Sequence, residues 1–99
     1  IVEVINGNAL KILPKINDKF EIIFIDDSKK NYPKYINLCM KLLHKNGLLI
    51  ADNALWRGEV ALESKSENAD SIARFNELLM RRMHSLIIPA RDGVAIGIK

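Results

Sequence analysis

Two apolar runs in this chain each end in acid. Phe20–Ile25 is followed by Asp26 and Asp27, and residues 48–51 are followed by Asp52 and Asn53. If both runs are strands of one parallel sheet, Asp26 and Asp52 lie beyond the carboxyl ends, where open α/β sheets bind ligands. On neighbouring strands the two tips would stand roughly 5 Å apart. Two carboxylates that close do not both stay ionised unaided, so they share a proton or hold a cation. Asn53 adds a neutral oxygen, and an all-oxygen set suits a hard ion such as Mg²⁺. The same acids could instead cap the helices that follow them, an ordinary role for Asp at such junctions. Spacing alone leaves both readings open.

The elements needed to position these groups are legible in outline. Residues 1–5 (Ile-Val-Glu-Val-Ile) read as a strand, closed by Asn6-Gly7-Asn8. Asn8 can cap a short helix over residues 9–13, which Pro14 helps to end. The mostly apolar, aromatic and β-branched run Phe20–Ile25 predicts a strand buried on both faces of a parallel sheet. Pro33 suits a first helical turn, and Tyr35, Ile36, Cys39, Met40, Leu42 and Leu43 recur at helical spacing. Asn46-Gly47 supplies the stop, and residues 48–51 form a second buried strand. Strand, helix and strand within about 30 residues make a βαβ unit, with a right-handed crossover expected.

Residues 54–68 show no clear period and include Gly58, Ser64 and Ser66, which predicts a functional or mobile loop. Asp70 or Ser71 can cap the next helix, with Ile72, Phe75, Leu78, Leu79 and Met83 along one stripe. Arg81 and Arg82 stand at its C-terminal end, where cations favour the helix dipole. Residues 86–88 and 94–96 read as strands of an antiparallel hairpin around Asp92-Gly93. The expected class is therefore α/β, a single small domain over residues 1–99 with an antiparallel C-terminal edge.

Composition narrows the classes. The chain has 99 residues, 48% of them hydrophobic, enough for a modest core and too many for a disordered tail. No apolar run reaches the roughly 18–20 residues of a membrane span, and no secretory signal is visible, so a cytoplasmic protein is expected. The net charge of +3 is mild and its basic residues are scattered, which permits an anionic partner without implying nucleic acid. Cys39, among Leu38, Met40 and Leu42, reads as a buried inert thiol. His44 falls at a predicted helix end, and neither it nor His84 is assigned chemistry. The start at Ile1, inside a predicted strand, suggests a truncated or processed product.

The order of residues across the two junctions is similar to that of a known family. Phe24-Ile25-Asp26-Asp27-Ser28-Lys29-Lys30-Asn31-Tyr32 resembles the stretch F-[IV]-D-A-D-K-x-x-Y of cation-dependent, S-adenosylmethionine-dependent O-methyltransferases of the caffeoyl-coenzyme A and catechol type. The segment from Gly47 through Asp52-Asn53-Ala54-Leu55-Trp56-Arg57-Gly58 to Val60 resembles their G-G-L-[IL]-x-x-D-N-x-L-W-x-G-x-V. Gly7-Asn8-Ala9, Phe75-Asn76 and Pro89-x-x-Asp92-Gly93, closing with Lys99, match further family turns.

That resemblance implies a partial Rossmann-like methyltransferase fold, the C-terminal part of a mostly parallel sheet. It implies Asp26, Asp52 and Asn53 as ligands of Mg²⁺ or another divalent cation, and Lys29 as the general base. Gly7, Asn8, Ala9, Asp26 and Ser28 would flank S-adenosyl-L-methionine, and Trp56 would line the pocket of a hydroxylated small-molecule acceptor. Lys29 could otherwise be a solvated lysine, Trp56 a loop anchor and Tyr32 a packing residue. One departure stands out: Asp27 and Ser28 replace the family's Ala and Asp, which puts a cofactor or acceptor contact in doubt and leaves the metal set intact.

The family's first strands, its glycine-rich turn and the acid that holds the ribose are not found in this sequence. The run Phe20–Ile25 is then expected to present an open apolar edge, and the isolated chain to bind cofactor weakly and turn over little. Two other functions compete: a non-catalytic α/β scaffold or homodimerisation module that keeps the acids, and a phosphoryl-accepting domain. The phosphoryl-accepting reading is disfavoured because Asp52 comes only one βαβ step after Asp26. Within the family, a catechol-like phenol, a caffeoyl-type thioester and a hydroxylated tRNA uridine all remain open as acceptors.

Overall fold

A computed structural model of the chain describes residues 2–62 and 66–99. Helix α1 (Ala9–Ile12) runs into a 3₁₀ turn, Leu13–Lys15, and precedes strand β1 (Phe20–Ile25). A 3₁₀ turn, Lys29–Asn31, leads into α2 (Tyr32–Leu42), which passes directly into β2 (Leu43–Asp52). After a run of tight turns over Trp56–Ala61, kinked at Arg57 and Gly58, come α3 (Glu67–Arg82), β3 (His84–Ile88) and β4 (Val94–Ile98). The class is α/β as expected. The sheet order is β1-β2-β4-β3, with β1 and β2 parallel and the other two pairings antiparallel. The C-terminal strand is thus inserted beside β2, and β3 takes the edge. Among the described residues, no helix is long and apolar enough to cross a membrane.

Both long helices contribute to one core, shared with one face of the sheet. Ile36 and Cys39 of α2 and Ile72, Phe75 and Leu79 of α3 cluster with Ile25, Leu49, Ala51 and Ala95. Gly97 of β4 lets α3 come close, since a Cβ there would lie 2.7 Å from both Leu79 Cδ1 and Met83 Sδ. The opposite face carries the row Phe24, Ile50, Ile96 and Leu86, aligned in register across all strands. Phe24 is 60% and Leu86 54% exposed. The expectation that β1 is buried on both faces is therefore corrected: helices cover only the side bearing Ile23 and Ile25. Its outer edge pairs with no strand among the described residues, as the open-edge expectation had it.

Three further boundaries differ from the sequence reading. Residues 2–5 form no strand: Val2 and Val4 are 89% and 80% exposed, and β-branched residues without a partner strand have no ladder to join. Ile1 of that predicted strand lies outside the described residues. Helix α2 stops at Leu42, not at Asn46-Gly47: Leu43 is already extended (φ −87°, ψ 140°) and pairs with Phe20 of β1, and Lys99 Nζ donates to the carbonyl oxygens of Met40 (2.5 Å) and Leu43 (2.8 Å) at that end. Asn46 (φ 68°) and Gly47 sit instead within β2, where the register with β1 is irregular, and His44 is an exposed strand residue. Helix α3 starts at Glu67 because Ser66, not Asp70 or Ser71, accepts the N–H of Ala69. The predicted long loop holds these kinked turns, and residues 63–65, Ser64 included, fall outside the described residues.

Candidate metal and cofactor site

The register of the parallel pair brings the two acids together. Ile25 is opposite Ala51, so Asp26 and Asp52, one residue further on, are adjacent positions at the carboxyl ends of neighbouring strands. Strand spacing puts such positions about 5 Å apart at the backbone. Asp26 is well exposed, while Asp52 is half-buried and accepts the Asn53 backbone N–H at 2.8 Å through Oδ1. Among the described residues no cluster of His, Cys, Asp and Glu alone reaches three. A cation here therefore depends on the amide oxygen of Asn53 as a third donor.

Tyr32 ties the two strand ends. It is fully buried, its ring edge-on to Phe75 at 5.3 Å, and its hydroxyl lies 3.0 Å from the Asp52 carbonyl and 3.4 Å from that of Ile25. Lys29 Nζ donates to Tyr32 Oη at 2.8 Å and reaches Asp26 Oδ1 at 3.5 Å. Only a tenth of the Lys29 side chain is exposed, so it is held and not solvated. Burial raises the Tyr32 pKa, more than the nearby Lys29 ammonium lowers it, and keeps the hydroxyl a donor. Tyr32 is thus both packing residue and hydrogen-bonded tie.

Asp92 is the residue that sequence reasoning missed as part of the site, seeing only its turn. Its Oδ2 accepts from Asn53 Nδ2 at 3.1 Å, and its Oδ1 accepts the backbone N–H of Arg57. From α3, Asn76 Nδ2 holds the Ala54 carbonyl at 2.8 Å, so the segment after Asn53 is gripped from two sides. Trp56 is half-buried against the core, with the Arg57 guanidinium 5.7 Å from its ring centroid.

Beside the strand ends a cavity of about 330 Å³ is lined by Ala9, Leu13, Phe24, Asp26, Asp27 and Tyr35, among others. Ala9 and Asp26 of the predicted cofactor set meet there. Gly7 and Asn8 stand just before it, with Asn8 capping α1 by accepting the Leu10 N–H at 3.0 Å. Ser28 is exposed and does not line the cavity. Asp27, the departure from the family pattern, has a defined partner: it accepts from the Tyr35 hydroxyl, which holds its carboxyl below the usual range. Burial and that carboxylate push the Tyr35 phenol well up. Burial alone pushes the Cys39 thiol up to about 12, in keeping with the inert role expected for it.

Comparison with known proteins gives the family. A family model described as O-methyltransferase matches residues 1–99. The chain is 33% identical to a catechol O-methyltransferase of Mycobacterium tuberculosis, covering 96% of this chain and 41% of that protein. It is 33% identical to tricin synthase 2 of Oryza sativa subsp. japonica, covering 91% of this chain and 36% of that protein. The fold superposes on the S-adenosylhomocysteine-bound methyltransferase PaMTH1 of Podospora anserina with TM-score 0.83 and 26% identity, covering 96% of this chain and 47% of that one. The O-methyltransferase TomG of Streptomyces achromogenes, solved with S-adenosylmethionine, gives TM-score 0.79 and 25% identity, over 93% of this chain and 47% of that one. The chain spans less than half the length of these relatives. Both junction motifs fall on the paired strand ends inside the matched region, and the chain belongs to the O-methyltransferase family.

Proposed function

We propose that the chain carries the metal- and acceptor-binding part of an enzyme that methylates a hydroxyl of a catechol-like or caffeoyl-type compound, with S-adenosyl-L-methionine as donor. The adjacency of Asp26 and Asp52 on a parallel strand pair, with the Asn53 amide beside them, is the observation that carries this reading. The relatives named as catechol O-methyltransferases and the neighbours solved with the methyl donor or its product support it. The donor set fits a divalent cation: two carboxylates and an amide carbonyl are hard oxygens, and a Mg²⁺ ion held by them would be left with sites for water and acceptor.

Bound there, such an ion would supply Lewis acidity to neighbouring acceptor oxygens. The chain's own residues do the rest. Lys29, held by Tyr32 Oη and Asp26 Oδ1 at the strand ends, is placed to act as the general base toward the acceptor's hydroxyl. Tyr32 keeps that amine at the strand ends, and Trp56 offers an apolar wall for an aromatic acceptor. The cavity between α1 and β1 takes the adenosyl part of the donor, with Asp27 held at its wall by Tyr35.

Calorimetric titration of the chain with Mg²⁺ tests the reading. Binding that Asp52→Ala abolishes is expected, whereas a chain with no Mg²⁺ affinity, or affinity indifferent to Asp52→Ala, would leave the non-catalytic scaffold as the better account.

A further inference from the structure

We propose that Asp92, in the turn between β3 and β4, is a positioning residue that decides which end of the Asn53 amide faces the candidate metal site. The inference rests on the metal reading above and adds a residue to it. An ionised carboxylate only accepts hydrogen bonds. Asp92 spends one oxygen on Asn53 Nδ2, at 3.1 Å, and the other on the Arg57 backbone N–H. Asn53 must therefore turn its NH₂ toward Asp92, which leaves its carbonyl oxygen as the free end. Only that end can ligate a hard cation.

The surrounding backbone needs such a hold. Asn53 (φ 62°), Trp56 (φ 46°) and Arg57 (φ 56°) all adopt left-handed conformations, uncommon for residues with a Cβ. Three successive ties from the turn keep the segment there. Ala54 N–H donates to the Gly93 carbonyl at 3.0 Å, Leu55 N–H donates to the Asp92 carbonyl at 2.8 Å, and the Asp92 side chain takes Arg57. Gly93 (φ 83°) permits the approach, because a Cβ there would lie 2.5 Å from Leu55 Cγ and 2.9 Å from its backbone nitrogen. One carboxylate thus links the orientation of a ligand to the shape of the segment that carries Trp56.

The test is Mg²⁺ titration calorimetry on the full chain with four proteins: wild type, Asp92→Asn, Asn53→Asp, and both substitutions together. Asparagine at 92 has one acceptor oxygen for two donors. Either Asn53 flips and offers NH₂ to the ion, or the Arg57 N–H loses its acceptor and the hold on the segment slackens. Loss of such a partner weakens metal binding about 10–100-fold. A carboxylate at position 53 has no amide end to choose, so in the Asn53→Asp background Asp92→Asn should change affinity by no more than a few-fold. Wild-type affinity in Asp92→Asn would overturn the proposal, and so would an equal loss in both backgrounds. If Asp92→Asn alone fails to fold, the Asn53→Asp background carries the test: a loss there of about tenfold or more overturns the proposal. No Mg²⁺ binding by the wild type would sink the metal reading and this inference together; wild-type binding with an indifferent Asp92→Asn would sink this inference alone.

Discussion

Lys29 rests on Tyr32: its Nζ lies 2.8 Å from the phenol oxygen and 4.6 Å from the ring centroid. Because the same hydroxyl reaches the Asp52 carbonyl at 3.0 Å, the proposed base on the β1 side is tied to the proposed ligand strand β2. A side chain that sequence reading treats as a match or a packing residue is the link between the two junctions.

Tyr32→Phe keeps the ring against Phe75 and removes only the hydroxyl. It should cost about 1–3 kcal/mol in urea unfolding, the usual range for a lost buried hydrogen bond that leaves its acceptor unsatisfied. Lys29, now only a tenth exposed, should become several-fold more reactive toward an amine-acylating reagent, read by peptide mass spectrometry. Unchanged stability and unchanged Lys29 labelling would remove the link.

The Asp27–Tyr35 pair makes stability depend on acid. The Asp27 pKa is lowered from 3.8 in the folded chain, chiefly by the Tyr35 hydroxyl. A depressed carboxyl contributes stability that is present above its unfolded pKa and is lost as pH falls through the folded value. Tyr35→Phe should therefore destabilise the chain at pH 7, by under about 1 kcal/mol because Asp27 is exposed and water screens its contacts, and the cost should shrink as pH falls below about 3.8. Urea midpoints for both proteins at pH 7 and pH 2.5 check this; a penalty that stays constant across the two would contradict the pairing.

The row Phe24, Ile50, Ile96 and Leu86 is an apolar face without a covering layer among the described residues. Such surfaces mark sites of association. The chain on its own should bind a hydrophobic dye and self-associate. Phe24→Lys, on a side chain 60% exposed, should reduce both while changing stability by under about 1 kcal/mol. Light scattering that is identical for the two proteins would show that this face is not what associates.

Much of the architecture is local and was legible residue by residue. The Asn8 cap, the Pro33 start, the apolar stripe of α3 and the Asp92-Gly93 turn each depend on side chains and backbone preferences within a few positions. The junction motifs belong here too, since their residues are contiguous, and they carried the family resemblance that the comparisons then showed.

What the sequence by itself determined is which residues end the strands and which chemistry they bring: acids and an amide at two tips, a lysine three positions after the first. Tertiary structure alone decided that β4 enters between β2 and β3, that Leu43 leaves α2 to pair with β1 while Lys99 takes the carbonyl oxygens there, and that residues 2–5 stay unpaired. It also decided that Asp92 reaches Asn53 across 39 positions. The physical reason is common to all of these. Capping, strand pairing and amide orientation depend on which donor or acceptor is brought near from elsewhere in the chain, and no local propensity encodes that partner.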